Sequence, residues 1–212
     1  MSRPPSATRL RRAPPRVRRT HAERTAETRA KILGAVVESI AEVGLQRTTA
    51  VEIARRAGVT WGAVQHHFGG KSELLMAVLE DSFERFAARL ADLPIEGLSL
   101  EQRATRFVER AWEHFASREY ASTFEILLDH LRRTRPTGAS WQERMSRAWD
   151  GVWGRFFGEA PIPRRRQGEL QHYTISVLSG LASTLMLEGR GARVRAAELA
   201  LLAATLTREL AG

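Results

Sequence analysis

Between Thr48 and Lys71 the sequence reads TTAVEIARRAGVTWGAVQHHFGGK, and its side chains are of the kinds that bind a polyanion rather than break a bond. Arg47, Thr48, Thr49, Gln65, His67 and Lys71 offer donors of the types that hold phosphate oxygens and fix register without reading sequence. Trp61 and Ala63 suit a different task. Their apolar atoms fit thymine methyls, and the indole N–H can donate to a base acceptor. Gly62 lets the backbone approach closely, and Thr60 and His66 complete the set of candidate DNA contacts.

Other chemistries find little support. The chain has no cysteine, which removes a cysteine nucleophile, a disulfide framework, a thiol switch and a cysteine-based metal site. His66 and His67 are adjacent, and neighbours on a helix point about 100° apart, so they do not share one ion easily. The chain also lacks a pair of Glu-x-x-His motifs of the di-iron kind and a phosphate loop. The expectation is a protein that is not an enzyme and carries no cofactor and no metal.

The elements that position the polar set are written locally. Thr49-x-x-Glu52 reads as a capping box that opens a first short helix, with Val51, Ile53 and Ala54 as its apolar face. Gly58 ends it, Thr60 caps a second helix of about two turns, and Val64 and Phe68 share the inner face of that helix. Two helices joined by a tight Gly-containing turn, the second showing small and polar residues outward, describe a helix-turn-helix spanning 49–68. From about Ala26 to Val43 a supporting helix carries Ile32, Leu33, Val36, Val37 and Ile40, and Gly44 stops it. Arg47 and Thr48 then lie in a turn whose N–H and hydroxyl groups are expected to be exposed.

The run AGVTWGAVQHHFGGKSELL resembles the signature of the TetR family of bacterial transcriptional regulators, with ETRAKILGAVVESIAEVG standing where that family has its first helix. The resemblance spans about residues 26–86. It departs from the family at Gln65, where a tyrosine is usual, and at Ala50, where a larger aliphatic is usual. It implies a homodimer on a palindromic double-stranded operator, held by a four-helix interface of the two C-terminal helices from each subunit, and a repressor released by a small-molecule effector.

A chain of 212 residues is long enough to bury a core without staples, and its net charge of +9 favours a polyanionic partner. Eight arginines before residue 25 face one acid, Glu23, so the excess lies almost wholly at the N-terminus. Residues 1–22, rich in proline and arginine, read as a disordered basic arm beside the reading helix. No apolar run reaches the ~18 residues of a membrane span and no secretory signal is evident, so a cytoplasmic, nucleoid-associated protein is expected.

Downstream of a linking helix with Leu74, Leu75, Val78, Leu79, Phe83 and Phe86 on one face, every segment has helical period. Breaks fall near Pro94 and Gly97, at RPTG and at GEAPIP; Ser99-x-x-Gln102 and Ser140-x-x-Glu143 are capping signals. The fold class is all-α, with an arm at 1–22, a DNA-binding unit at 23–86 and a helical ligand-binding and dimerisation unit at 87–212. In a late helix Leu170, Tyr173, Val177, Leu181 and Leu185 form one stripe beside small residues Ser176, Ser179, Gly180 and Ser183, and the last helix is apolar nearly all round.

The C-terminal half concentrates aromatic and polar groups suited to the wall of a mostly apolar cavity. The candidates are Trp112, Phe115, Phe124, Glu125, Asp129, His130, Trp149, Trp153, His172 and Tyr173. Two alternatives stay open: a DNA-binding regulator or architectural factor with no small ligand, which the basic arm favours, and a helical-bundle enzyme, against which the missing motifs speak.

Overall fold

The computed structural model describes residues 20–133, 139–188 and 195–212, and among them the chain is all-α with no strand. Most of the basic arm lies outside the described residues, and so do the side chains of residues 139–142, with them the Ser140 capping signal. Helix α1 runs His21–Val43, earlier than the Ala26 start expected from periodicity. The reason is a cap that period alone does not show. Glu23 N–H donates to Thr20 Oγ1 at 3.2 Å while Thr20 N–H donates to the Glu23 carboxylate at 2.7 Å, so Thr20, His21 and Ala22 belong to the helix start rather than to a disordered arm.

A 3-10 turn at Leu45–Arg47 leads to α2 (Ala50–Ala57) and α3 (Trp61–Phe68). Gly58 sits at φ 67°, ψ 32°, the left-handed conformation that lets the chain stop one helix and start the next within a few residues. The Thr49 cap forms only by half. Its hydroxyl takes Glu52 N–H at 3.2 Å, but the Glu52 carboxylate is drawn away to Arg55 at 2.7 Å and Arg56 at 2.5 Å. Two charge-assisted bonds outcompete one neutral backbone donor.

Helix α4 (Lys71–Ala91) follows, then α5 (Leu100–Phe115), α6 (Arg118–Arg133), α7 (Ala139–Phe157), α8 (Arg164–Glu188) and α9 (Ala196–Leu210). The Ser99 and Gln102 capping box opens α5 as expected. Two apolar clusters organise these helices. The first joins Ile32, Val36 and Ile40 of α1 with Ile53 of α2, Val64 of α3, and Leu74 and Val78 of α4. The second gathers Phe107 of α5, Trp149, Trp153, Phe156 and Phe157 of α7, Leu178 of α8 and Leu206 of α9 around Phe86 and Leu90 of α4. Each such side chain, buried fully, is worth about 1.5–3 kcal/mol.

Helices α4 and α6 serve both clusters. The first half of α4 packs in the first cluster and its second half in the other, while Ile126 of α6 joins the first. The far end of α4 is held by Arg155 of α7, whose guanidinium donates to Leu93 O at 2.6 Å and Leu90 O at 3.4 Å, satisfying carbonyls that the helix end leaves open.

In α8 the buried stripe is Leu170, Thr174, Leu178 and Ala182, one position on from the leucine stripe read in the sequence. Tyr173 consequently stands 43% exposed. The exposed face of the last two helices carries Ser176, Gly180 and Leu187 of α8, and Ala197, Ala200, Leu201 and Ala204 of α9. Among the described residues no helix is long and apolar enough to cross a membrane, and no group of three potential metal ligands occurs.

Candidate nucleic-acid interface and effector cavity

Helix α3 is fixed to the body by its inner face. Val64 is fully buried, Phe68 packs against the first cluster, and Arg29 of α1 lies over the Phe68 ring at 4.2 Å while donating to the His67 carbonyl at 2.6 Å. One arginine therefore clamps the end of α3 by a cation–π contact and a cap together. Thr60 caps the other end by accepting Ala63 N–H at 3.1 Å. On the outward side Thr60, Gly62, Gln65 and His66 are exposed and Ala63 and His67 half-buried. Thr49 is exposed at the start of α2.

Four of the sequence candidates have other employment. Thr48 is fully buried; its hydroxyl donates to Gly44 O at 3.0 Å and meets Ser39 Oγ at 3.0 Å, and its N–H is taken by Leu45 O at 3.2 Å. It has no free group for a phosphate, because the turn expected to be open folds onto α1. Lys71 is half-buried and donates through Nζ to the Thr48 carbonyl at 2.6 Å. Arg47 is exposed but turns Nε back onto Val43 O at 2.7 Å, and Trp61 is half-buried against the first cluster.

The basic end of α2 is neutralised internally. Hydrogen bonds from Arg55 and then Arg56 hold the Glu52 carboxyl down to about 2, and Arg56 reaches on to Glu42 of α1 at 2.6 Å. Arg55 and Arg56 are raised above the usual guanidinium range by the same partners. Beside α3, the start of α1 brings Arg24, with His21, Thr25 and Thr28, into a groove with His66 and His67.

The turn before α2 is gripped from two sides. Lys71, the first residue of α4, holds Thr48 O, and Glu125 of α6 accepts the Leu45 N–H at 3.0 Å. Ser122, one turn earlier in α6, donates to Val37 O of α1 at 3.1 Å. Glu125, expected in a ligand site, thus faces the helix-turn-helix.

The opposite faces of the same two helices line a cavity of about 450 Å³. Helix α4 contributes Ser82, Phe83 and Phe86, and α6 contributes Tyr120, Thr123 and Phe124. Phe115, Phe124, Trp149 and His172, four of the sequence candidates, lie in its wall. The rest do not. Trp112 and Trp153 pack in the second cluster, Tyr173 faces outward, and Asp129 and His130 line a separate groove between α4 and α6, with Asp129 paired to Arg133 at 2.8 Å. The rim includes exposed Asp150, Gly168 and His172, and Gln171 Nε2 donates across it to Asp150 Oδ1 at 2.9 Å.

The polar group that the sequence reading missed is His114, 7% exposed and stacked on Phe86 at 4.5 Å. Burial, and then the charge of Arg89, pushes its imidazole down to about 4, so it is neutral at neutral pH. Its place was readable: residue 114 falls on the apolar side of α5 with Phe107 and Ala111, where a polar side chain is out of pattern. Tyr120, whose hydroxyl burial pushes up, donates to Ser179 Oγ at 3.3 Å and ties α6 to α8 across the cavity.

Comparison with known proteins agrees with this geometry. Residues 32–78 match the family model described as bacterial regulatory proteins, tetR family. The HTH-type transcriptional regulator CymR of Pseudomonas putida is 33% identical over 115 residues, which are 52% of this chain and 55% of that protein. TtgR, also an HTH-type transcriptional regulator of Pseudomonas putida, is 46% identical over 68 residues, 32% of each chain. The chain thus spans about half, or less, of the length of these relatives. The transcriptional regulator FadR from Bacillus subtilis, solved in complex with stearoyl-CoA, shares the fold with a TM-score of 0.63 over 86% of this chain and 97% of that one, at 15% identity. The matched segment is centred on the two short helices, so residues 32–78 are similar to the DNA-binding segment of tetR-family regulatory proteins, and the chain as a whole shares the fold of FadR.

Proposed function

We propose that the chain is a DNA-binding transcriptional regulator, a two-fold dimer on a palindromic operator, acting as a repressor that a small apolar molecule releases. The observation that carries this reading is α3 itself: a capped two-turn helix pinned by Val64, Phe68 and Arg29 with Thr60, Gly62, Gln65 and His66 turned outward. Such a helix is rigid enough to keep register in a major groove. Thr60, Gly62, Ala63, Gln65 and His66 are its reading face, and Thr49, Arg47 and His67 flank it as phosphate contacts, joined by His21 and Arg24 from α1. Thr48 and Lys71 act by shaping the turn.

Dimerisation through α8 and α9 is supported by their exposed small and apolar side chains, Leu187 at 88% and Leu201 at 68% among them. A symmetric dimer reads symmetric half-sites. Release follows if the effector favours a geometry in which α4 and α6 hold the Leu45–Thr48 turn differently, because a ligand shifts an equilibrium only by its differential affinity for two states.

Selection of bound sequences from a random duplex library, followed by footprinting, tests the reading. An inverted repeat protected on both half-sites is expected. Binding without sequence preference would overturn it and leave the architectural alternative.

A further inference from the structure

We infer that the cavity selects an uncharged aromatic molecule carrying a hydrogen-bond acceptor, which the Nε2–H of His114 reads from within. This deepens the effector reading above and rests on it.

The walls set the shape. Phe86 stacks on His114 at 4.5 Å and on Trp149 at 5.4 Å, with interplanar angles of 23° and 20°. Tyr120 and Phe124 extend the wall as a further stacked pair at 5.8 Å. Flat π faces reward a flat ring, and about 450 Å³ lies within the range of small-molecule sites.

The charges set the polarity. Besides Tyr120, the ionisable groups of the lining are His114 inside and Asp150 and His172 at the exposed rim. A charged head carried inward therefore finds no charged side chain in the inner lining to pair with directly, Arg89 and Glu119 acting on His114 from outside it, and an unpaired buried charge is costly.

The hydrogen-bond inventory sets the functional group. Arg89 is exposed, lies outside the lining, and brings Nη2 to 3.4 Å from His114 Nδ1. A guanidinium only donates, so Nδ1 accepts and the ring proton sits on Nε2, on the ring edge away from Arg89. Tyr120 Oη–H is given to Ser179 and Thr123 Oγ1–H to the Tyr120 carbonyl, whereas His114 Nε2–H, like the buried Ser82 Oγ and Trp149 Nε1 of the same lining, has no protein partner among the described residues; of the three, His114 is the one whose proton Arg89 fixes in place. A ligand acceptor completes it, and a ligand without one leaves a buried donor unpaired.

The test is calorimetric titration of the full-length protein with three shape-matched probes: 2-acetylnaphthalene, naphthalene and 2-naphthoate. The ketone is expected to bind about fivefold or more tighter than naphthalene, the worth of one hydrogen bond, and at least about tenfold tighter than the carboxylate. In His114→Phe the ketone's advantage over naphthalene should vanish; the wild-type series decides the matter even if that variant does not fold. Carboxylate binding as tight as the ketone, an advantage that survives in His114→Phe, or no binding of any probe would each overturn the inference. Gel shifts on the selected operator run in parallel. Binding in the expected order without release of DNA would sink the effector reading while leaving the ligand class intact.

Discussion

His114 makes stability depend on pH in a way that isolates one residue. Its imidazole is held at about 4 in the folded chain against an ordinary 6.5, so the unfolded chain binds the proton more tightly. Stability is complete above pH 6.5 and is lost as the pH falls towards 4. Taking a shift from 6.5 to about 4, linkage gives a loss of about 2 kcal/mol between pH 7.5 and pH 5. For a protein of this size that corresponds to a fall in Tm of about 4–8 °C.

The carboxylates held low by arginine, Glu42, Glu52, Glu169 and Glu209, have the opposite partner chemistry. Their contribution is present above the ordinary 4.5 and lost only as the pH falls below it, so it barely enters the pH 7.5 to 5 window. Urea unfolding followed by circular dichroism at pH 7.5, 6 and 5 is the assay, with His114→Phe as reference, since phenylalanine fills the same place on Phe86 without titrating. Wild type should lose about 2 kcal/mol more than the variant. Equal slopes for the two proteins would show that His114 does not stay neutral in the fold.

Four further outcomes are expected. Thr48→Val should cost about 1–2 kcal/mol by removing hydroxyl bonds to Gly44 and Ser39, yet leave the salt slope of DNA binding unchanged; a flatter slope would restore Thr48 as a phosphate contact. Glu125→Ala should weaken operator binding at least about threefold while calorimetric binding of 2-acetylnaphthalene stays as in wild type, and Glu125→Gln, whose amide oxygen still accepts Leu45 N–H, should recover it; wild-type operator affinity in the alanine variant would refute the grip on the turn. Gly180 is exposed and an added Cβ there meets no atom within 4 Å, so Gly180→Arg should fold normally and sediment as a monomer with poor operator affinity, and an intact dimer would refute the α8–α9 interface. Deleting residues 1–19, with seven arginines and no acid, should flatten the salt dependence by several units per dimer at about 0.9 per phosphate contact, whereas equal slopes would make the arm a bystander.

What was legible in the sequence was what short range decides. Thr60, Gly58 and the Ser99–Gln102 box could be read because a cap and its backbone partner lie within four residues of each other. The same local rules misjudged Glu52, since a carboxylate within reach of Arg55 and Arg56 forms the stronger, charge-assisted bonds. Thr48, Lys71 and Glu125 were unreadable for a different reason. Their partners lie 9, 23 and 80 residues away, and no spacing rule distinguishes a polar side chain that will meet phosphate from one that will meet a distant carbonyl or N–H.

Those long-range bonds bear on how a cavity ligand could reach the DNA-reading pair. From Lys71 to Phe86 along α4 is fifteen residues, about 22 Å at 1.5 Å per residue, so an element that grips Thr48 at one end forms cavity wall at the other. In α6 the distance is shorter still: Phe124 lines the cavity and Glu125, the next residue, holds Leu45. A helix is stiff along its axis, and close packing lets neighbouring helices slide by small steps rather than deform. In the proposed release, an aromatic ligand that separates Phe124 from Phe83 and Phe86 must shift α6 against α4. Lys71 and Glu125 would then pull on one turn from two diverging supports, and α2 and α3, which start from that turn, would move with it.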